Sequence, residues 1–430
     1  MPRFYMETYG CAANQADSAI MSNLLEGAGY RPTADPAQSD VVIVNTCGVK
    51  SPTENRIMDR LARLSNAGKP IVVAGCLTKI NWKRLVDTAN FGTALTPYSV
   101  ERIVEAVDIA MRDPRGRRLI ESSSPPDKPA LARSDGGLIG TLEIEDGCTF
   151  SCSFCATKFS RGPAHSYSPG AIARAARRLI LGGAKELRLT GQDVASYRAD
   201  GYDLTDLVRL VLSNVSGDYR IRIGMMTPVL ARRIRDGLLP IYKLDNVYKF
   251  MHIPVQSGSD DVLRLMRRGH DVGLFRDLVN SSRASIPMLT VETDIIVGHP
   301  GEDEDDFERT LRLMELTEPD VVNLSKYSNR PGTEASRMRQ LPSQVIARRS
   351  ADAYHAAMRI MEERNSKWMG WSGRALILEI GSRPGTMIGR NDWYKPIVVE
   401  GGADLLGRWV DVTVDGYTPV HLNGKVSRST

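Results

Sequence analysis

The chain has 430 residues, 42% of them hydrophobic and 25% charged, with a formal net charge of +5. No apolar run approaches the ~20 residues that span a bilayer, and MPRFYMETYG lacks the apolar stretch of a signal peptide. Neither a membrane span nor a secretory signal is expected, and a cytoplasmic location is. Two or three domains of ordinary globular composition remain, and the mild positive charge permits a nucleic-acid partner without demanding one.

Residues 1–112 carry three short apolar segments, Arg3–Thr8, Val41–Val44 and Ile71–Ala74. Helical patterns over Asp17–Gly27, Pro52–Leu64 and Trp82–Ala89 separate them. This alternation predicts a doubly wound parallel sheet. A cysteine follows each strand: Cys11 after METYG, Cys47 after VVIVNT and Cys76 after IVVAG. Parallel strands align their carboxyl ends along one sheet edge, so three thiols far apart in sequence are expected to meet there. Three thiolates suit three irons of a 4Fe-4S cube and leave the fourth open. Three buried structural cysteines are the plainer alternative. Asn14, Asp17 and Asn45 lie beside these cysteines, where turn formation and helix capping explain them as well as a direct role does.

Residues 113–137 are rich in proline and serine and read as a linker without chemistry. Residues 138–370 then open with an apolar strand, Gly140–Ile144, and a turn at Gly147. The run Cys148-Thr-Phe-Ser-Cys152-Ser-Phe-Cys155 follows on the loop at the strand's carboxyl end. Three soft thiolates in eight residues again suit one iron–sulfur cube with an open iron. A zinc site would want a fourth Cys or His nearby, and His165 is ten residues away. The six cysteines divide as three spread and three packed, which argues for two three-thiol sites rather than three disulfides.

Further strands are predicted at Glu186–Thr190, Arg220–Gly224, Lys249–Ile253, Val291–Val297 and Val321–Tyr327, with helical patterns between them. Six strand–helix units suit a partial (β/α)6 barrel, whose working groups come from the strand ends. Those ends read Thr190-Gly-Gln192-Asp193, Met225-Met-Thr-Pro228, His252-Ile-Pro-Val-Gln256-Ser257-Gly-Ser259, Gly298-His299-Pro-Gly-Glu302 and Tyr327-Ser-Asn-Arg330-Pro-Gly-Thr333. Arg267 and Arg268 follow the fourth unit's helix, where phosphate pairing and the helix dipole compete as explanations. Arg348–Lys367 is helical. From residue 371 to 430 short alternating strands, Ala375–Glu379, Pro396–Val399, Arg408–Val414 and His421–Val426, predict a small antiparallel barrel of oligonucleotide-binding type. It is near-neutral, so nucleic-acid affinity would rest on Arg390, Trp393, Tyr394 and Lys395 in GRNDWYKP; barrel packing explains the two aromatics equally well.

CxxxCxxC after the first strand of an α/β domain resembles the radical S-adenosylmethionine superfamily. YGCAANQADS, VNTCGVKSPTENR and VAGCLTK resemble the amino-terminal domain of its methylthiotransferase branch. The HIPVQSGS and YSNRPGT motifs and a terminal barrel like the TRAM domain extend the resemblance over the whole chain. Family members often carry Phe where this chain has His299. The resemblance implies two 4Fe-4S clusters and S-adenosylmethionine as cofactors. It places Gln192, and less directly Asp193, at the methionine amino group, Gln256 at the ribose and Gly298 against the adenine; Ser257 is a further cofactor-binding candidate that could equally cap the next helix. Arg330, in the YSNRPGT motif, joins Arg267, Arg268, Arg390, Trp393, Tyr394 and Lys395 as a candidate substrate or RNA contact. The implied reaction methylates a cluster-borne sulfur with one S-adenosylmethionine. A second, cleaved by one electron, yields a radical that takes hydrogen from an unreactive C–H, and the methylthio group joins that carbon. A flavodoxin- or ferredoxin-like electron donor and a sulfur donor are implied partners. RIGMMTP and NDWYKP resemble the archaeal and eukaryotic branch, which acts on N6-threonylcarbamoyladenosine in tRNA. A ribosomal-protein aspartate or isopentenyladenosine in tRNA is the runner-up substrate. An iron–sulfur RNA-binding sensor without catalysis is the alternative of another class.

Overall fold

The computed structural model describes residues 1–134 and 136–427. Position 135 of the expected linker and positions 428–430 of the expected terminal barrel lie outside the described residues. The amino-terminal part is a six-stranded parallel sheet: β1 (Arg3–Thr8), β2 (Arg31–Pro32), β3 (Val41–Thr46), β4 (Ile71–Gly75), β5 (Thr93–Leu95) and β6 (Arg118–Ile120). The strand order is β2-β1-β3-β4-β5-β6. VVIVNT and IVVAG are buried along their whole length, because helices cover both faces of a parallel sheet. Val41, Ile43 and Val72 pack with Ile20, Leu25 and Ile103 on one face. Val42, Val44 and Val73 pack with Ile57, Leu61 and Leu85 on the other.

Three of these six strands were not expected. β2 and β5 have two and three residues, too few for a period of two to register. β6 lies in the segment expected as a linker and extends the sheet by pairing Arg118 with Thr93 and Ile120 with Leu95. The same segment folds a short helix, Lys128–Leu131, capped by Asp127 accepting from the Ala130 N–H.

The central part has six parallel strands in two sets of three: β7 (Ile139–Glu143), β8 (Glu186–Thr190) and β9 (Arg220–Ile223), then β10 (Phe250–His252), β11 (Thr290–Val297) and β12 (Val321–Lys326). A parallel bridge, Ile221 to Val247, joins the sets, so the order runs β7-β8-β9-β10-β11-β12. β7 and β12 do not pair, and the barrel stays open along one side. Outward residues such as Leu187, Ile221, Val291 and Ile295 form one core beneath the surrounding helices. All six expected strands are present, with ends shifted by a residue or two.

Helix Ser343–Ser366 leads from the half-barrel to a closed five-stranded barrel: Ser372–Ile380, Thr386–Arg390, Pro396–Glu400, Trp409–Tyr417 and Leu422–Val426. The strand Thr386–Arg390 was not expected; Gly389 within it weakens the pattern. The barrel is antiparallel except where Pro396–Glu400 meets Leu422–Val426 in parallel, which closes it. Among the described residues no helix is long and apolar enough to cross a membrane.

Candidate active site: two thiol triads at the strand ends

β1, β3 and β4 are neighbours in the sheet, so the residues leaving their carboxyl ends are brought together as expected. Cys11 leads into helix Ala12–Gly27, Cys47 follows β3 and Cys76 follows β4. The Asn14 Oδ1 lies 3.8 Å from the Cys11 sulfur and 3.9 Å from the Cys76 sulfur. Close approach is possible because Gly10 turns with φ +115, and a Cβ there would sit 2.8 Å from the Cys47 Cβ. Cys11 is exposed, Cys47 and Cys76 are buried, and no disulfide joins them. Burial pushes the Cys47 thiol up to about 12 and raises Cys76, with the Arg161 guanidinium opposing it at Cys76. Ligation of iron would have to displace those protons.

The second triad occupies the loop after β7. Cys148, Cys152 and Cys155 are each half-buried and reduced. The Phe150 N–H points at the Cys148 sulfur at 3.4 Å, and Arg268 Nη1 lies 3.4 Å from the Cys152 sulfur. Burial pushes Cys148 up to about 12 and raises Cys152, against which Arg268 acts. Cys76 packs with Ala156, the residue after Cys155, so the segments that carry the two triads touch at the domain contact.

Between them lies a buried charge cluster that sequence reasoning missed. Lys128 Nζ is 2.6 Å from Asp17 Oδ1, 2.8 Å from Glu143 Oε2 and 2.6 Å from Asp146 Oδ2. Arg161 pairs the same three carboxylates at 2.6, 2.9 and 3.0 Å. Its Nη2 also donates to Asn14 Oδ1 at 3.1 Å. The cluster therefore ties the first helix, the linker and both flanks of the Cys148–Cys155 loop together. Burial raises Glu143 to about 8; it would raise Asp146 too, but Lys128 and Arg161 outweigh it and hold Asp146 below the usual range. Asp17 does not cap its helix; it pairs with these cations, and Asn14 and Asn45 tie the helix to the strand ends through Thr46 O and Ser18 Oγ. Three acids and two bases scattered over some 145 residues leave no local signal.

Buried polar atoms without partners mark the carboxyl ends of the half-barrel. They are Gln192 Oε1, Gln256 Oε1, Arg268 Nε, both His299 nitrogens and the Tyr327 hydroxyl. Native interiors rarely leave such groups unsatisfied. Together with a three-thiol loop, they fit a polar ligand such as S-adenosylmethionine, which brings an amino group, a carboxylate and ribose hydroxyls. Gln256 holds φ +78, a strained conformation for a residue with a side chain.

Other expected contacts resolve differently. Asp193 is buried and spends its carboxylate on Thr227, accepting from Oγ1 at 2.6 Å and N at 3.2 Å. Ser257 is buried in its own turn, accepting from the Ser259 N–H. A Cβ on Gly298 would meet Ile346 at 2.7 Å, so helix Ser343–Ser366 requires that glycine. Arg267 is exposed and pairs with Glu334 at 2.8 Å. Arg268 is buried beneath the Cys152 loop rather than presented to phosphate, its Nη2 donating to Pro254 O. Arg330 is buried against Glu54 of the amino-terminal domain.

The GRNDWYKP loop docks the terminal barrel onto the half-barrel. Trp393 Nε1 donates to Pro287 O at 3.1 Å, and its ring edges meet Trp368 and Trp371. Tyr394 packs 4.7 Å from Tyr248 and 4.8 Å from Phe250, with its hydroxyl on Glu186. Arg390 lies 4.9 Å over the Tyr394 ring. Lys395 is buried, donating to Asp320 and Asn365 at 2.9 Å each. The sequence shows amphipathic side chains but not whether the partner is RNA or another domain of the same chain.

Comparison with known proteins follows the same divisions. Residues 3–95 match the model described as Uncharacterized protein family UPF0004, residues 142–314 the Radical SAM superfamily, and residues 373–426 the TRAM domain. A Methanothermobacter thermautotrophicus protein named probable threonylcarbamoyladenosine tRNA methylthiotransferase is 40% identical, covering 93% of this chain and 94% of its own. A protein of the same name from Pyrococcus abyssi is 37% identical over 99% of this chain and all of its own. The chain belongs to the threonylcarbamoyladenosine tRNA methylthiotransferase family. A Danio rerio methylthiotransferase of that name is 30% identical over 99% of this chain and 78% of its own. The methylthiotransferase fold also matches the cobalamin-dependent S-adenosylmethionine radical enzyme OxsB, with TM-score 0.53 and 10% identity over 83% of this chain and 56% of that one. The radical methyltransferase TsrM from Kitasatospora setae gives TM-score 0.53 and 12% identity over 78% and 75%.

Proposed function

We propose that this chain inserts a methylthio group at carbon 2 of N6-threonylcarbamoyladenosine beside the tRNA anticodon. The observation that carries the reading is two triads of free thiols, each offering three ligands, on segments that touch at one domain contact. Cys11, Cys47 and Cys76 would hold one 4Fe-4S cluster, and Cys148, Cys152 and Cys155 the other. When bound, the clusters and S-adenosylmethionine supply one-electron chemistry and the sulfur and methyl groups.

The chain's own residues bind, orient and exclude water. Arg268 sets a positive charge against the Cys152 thiolate, and Arg161 does the same near Cys76. Gln192 and Gln256 present unpartnered carbonyl oxygens to the amino group and ribose of the bound cofactor. The Lys128–Arg161 cluster and the Glu54–Arg330 pair fix the two domains that carry the triads relative to one another, so that the target carbon can be presented to both. A flavodoxin- or ferredoxin-like reductant and a sulfur donor complete the reaction, in the cytoplasm.

Mass spectrometry of tRNA nucleosides from a strain lacking the gene, beside its parent, tests the reading. The expected result is loss of 2-methylthio-N6-threonylcarbamoyladenosine with accumulation of its precursor. Unchanged tRNA nucleosides with a lost methylthio group on a ribosomal protein would overturn it.

A further inference from the structure

Strand register places one row of side chains around the inner wall of the half-barrel. Thr141, Arg188 and Arg222 are paired neighbours across β7, β8 and β9. His252 pairs with Glu292 across β10 and β11, and Asp294 with Asn323 across β11 and β12. Their chain neighbours Leu187, Leu189, Ile221, Ile223, Val291 and Ile295 belong to the outer apolar core, so this row faces inward. In a closed barrel such a row is bulky and apolar. Here nearly all of it is charged or hydrogen-bonding, which suits a polar guest.

The row is incompletely satisfied. The Arg222 guanidinium lies 4.6 Å over the Phe250 ring and 5.4 Å from that of Tyr394, which floor the chamber. Its Nε is buried without a partner, and the nearest carboxylate, on Glu292, is 3.6 Å from Nη2. A guanidinium stacked on aromatic faces keeps its donor edge free for a planar acceptor. Asn323 donates to Glu292 at 2.6 Å and to Asp294 at 2.8 Å, and His252 meets Asp294 at 3.1 Å. A cavity of about 630 Å³ between the amino ends of β10–β12 and the terminal barrel reaches this row at Glu292, with Phe250, Thr290, Arg390 and Tyr394 among its other walls.

We propose that this row is the subsite for the threonylcarbamoyl arm of the substrate, with Arg222 pairing its carboxylate and Glu292 and Asn323 taking its hydroxyl and ureido N–H. The inference rests on the tRNA reading above. An isopentenyl arm carries no polar atom and would cover the Arg222 donor edge without satisfying its buried Nε, so the wall selects the charged arm by penalty as well as by attraction.

The test changes ligand and protein together. Binding of free N6-threonylcarbamoyladenosine and of its carboxyl methyl ester to the reconstituted holoenzyme is measured by calorimetry, for wild type and for Arg222→Met. The wild type should bind the acid about 10- to 100-fold more tightly than the ester, the worth of one charged hydrogen bond. In Arg222→Met the two should bind alike, and Arg222→Lys should restore part of the preference. If Arg222→Met does not fold, Glu292→Gln is read instead by its loss of preference for the threonyl over the deoxy (2-aminobutyryl) arm. Equal binding of acid and ester to the wild type, or a preference that persists in Arg222→Met, overturns the proposal. So does a variant whose defect is confined to S-adenosylmethionine binding. Wild-type methylthiolation of tRNA bearing the threonylcarbamoyl group is assayed in parallel; its failure would count against the tRNA reading itself.

Discussion

Replacing Lys128 with Met would remove one of the two cations that hold Asp17, Glu143 and Asp146 together. Met keeps most of the stem volume, so the effect reports charge rather than packing. Lys128 lies within 2.8 Å of all three carboxylates, and every member of the cluster is buried. Removing one partner of a buried ion pair costs about 3–5 kcal/mol, because the remaining charges are left desolvated and uncompensated. Burial holds Glu143 well above the usual carboxylate range, so a proton already offsets part of the negative charge there before the cation is lost. The lower end, about 3 kcal/mol, is therefore expected at pH 7. For folding units of this size that is a fall in Tm of about 6–12 °C. Thermal unfolding of the apoprotein followed by circular dichroism measures it. Adding Asp146→Asn to Lys128→Met should recover part of the loss, since one carboxylate is then neutral. A loss below about 1 kcal/mol with no recovery in the double variant would refute the cluster as the strut between domains.

Four other outcomes are expected. Cys148→Ala, Cys152→Ala and Cys155→Ala together should lower bound iron from about eight to about four per chain and abolish S-adenosylmethionine cleavage. The corresponding changes at Cys11, Cys47 and Cys76 should remove the same amount of iron and stop sulfur insertion; iron analysis and electron paramagnetic resonance decide both. Glu145, pushed up to about 8 by burial, stays protonated in the folded chain well above the 4.5 of an exposed glutamate. The folded state then binds the extra proton, so stability should fall as pH rises from about 4.5 to about 8. Glu145→Gln should flatten that slope in urea melts at pH 5 and 8, and an unchanged slope would count against it. Tyr394→Ala with Lys395→Met should loosen the terminal barrel and speed proteolysis between residues 366 and 372, with the half-barrel left intact; equal digestion rates would show that the docking loop is dispensable.

The chain-order signals proved sufficient wherever one element carried its own pattern. β3 and β4 declared themselves as apolar runs, and Cys47 and Cys76 each fell one residue past a strand. β2 and β5 did not, because two or three residues held in place by a neighbouring strand have no period of their own. Arg268 illustrates the same division at the site. Its place after a helix favours phosphate equally with any other anion, and only the fold shows it turned inward to the Cys152 sulfur.

The sequence by itself determined the parallel sheet, the half-barrel, the terminal barrel and the two groups of three cysteines. Strand period, turn residues and thiol spacing are local properties, and local properties are written in order along the chain. The tertiary structure alone decided which charges meet. Asp17, Lys128, Glu143, Asp146 and Arg161 come from five elements, and Trp393, Tyr394 and Lys395 face another domain rather than solvent. A buried ion pair is settled by distances of 2.6–3.0 Å between groups far apart in sequence, and no spacing rule along the chain encodes those distances.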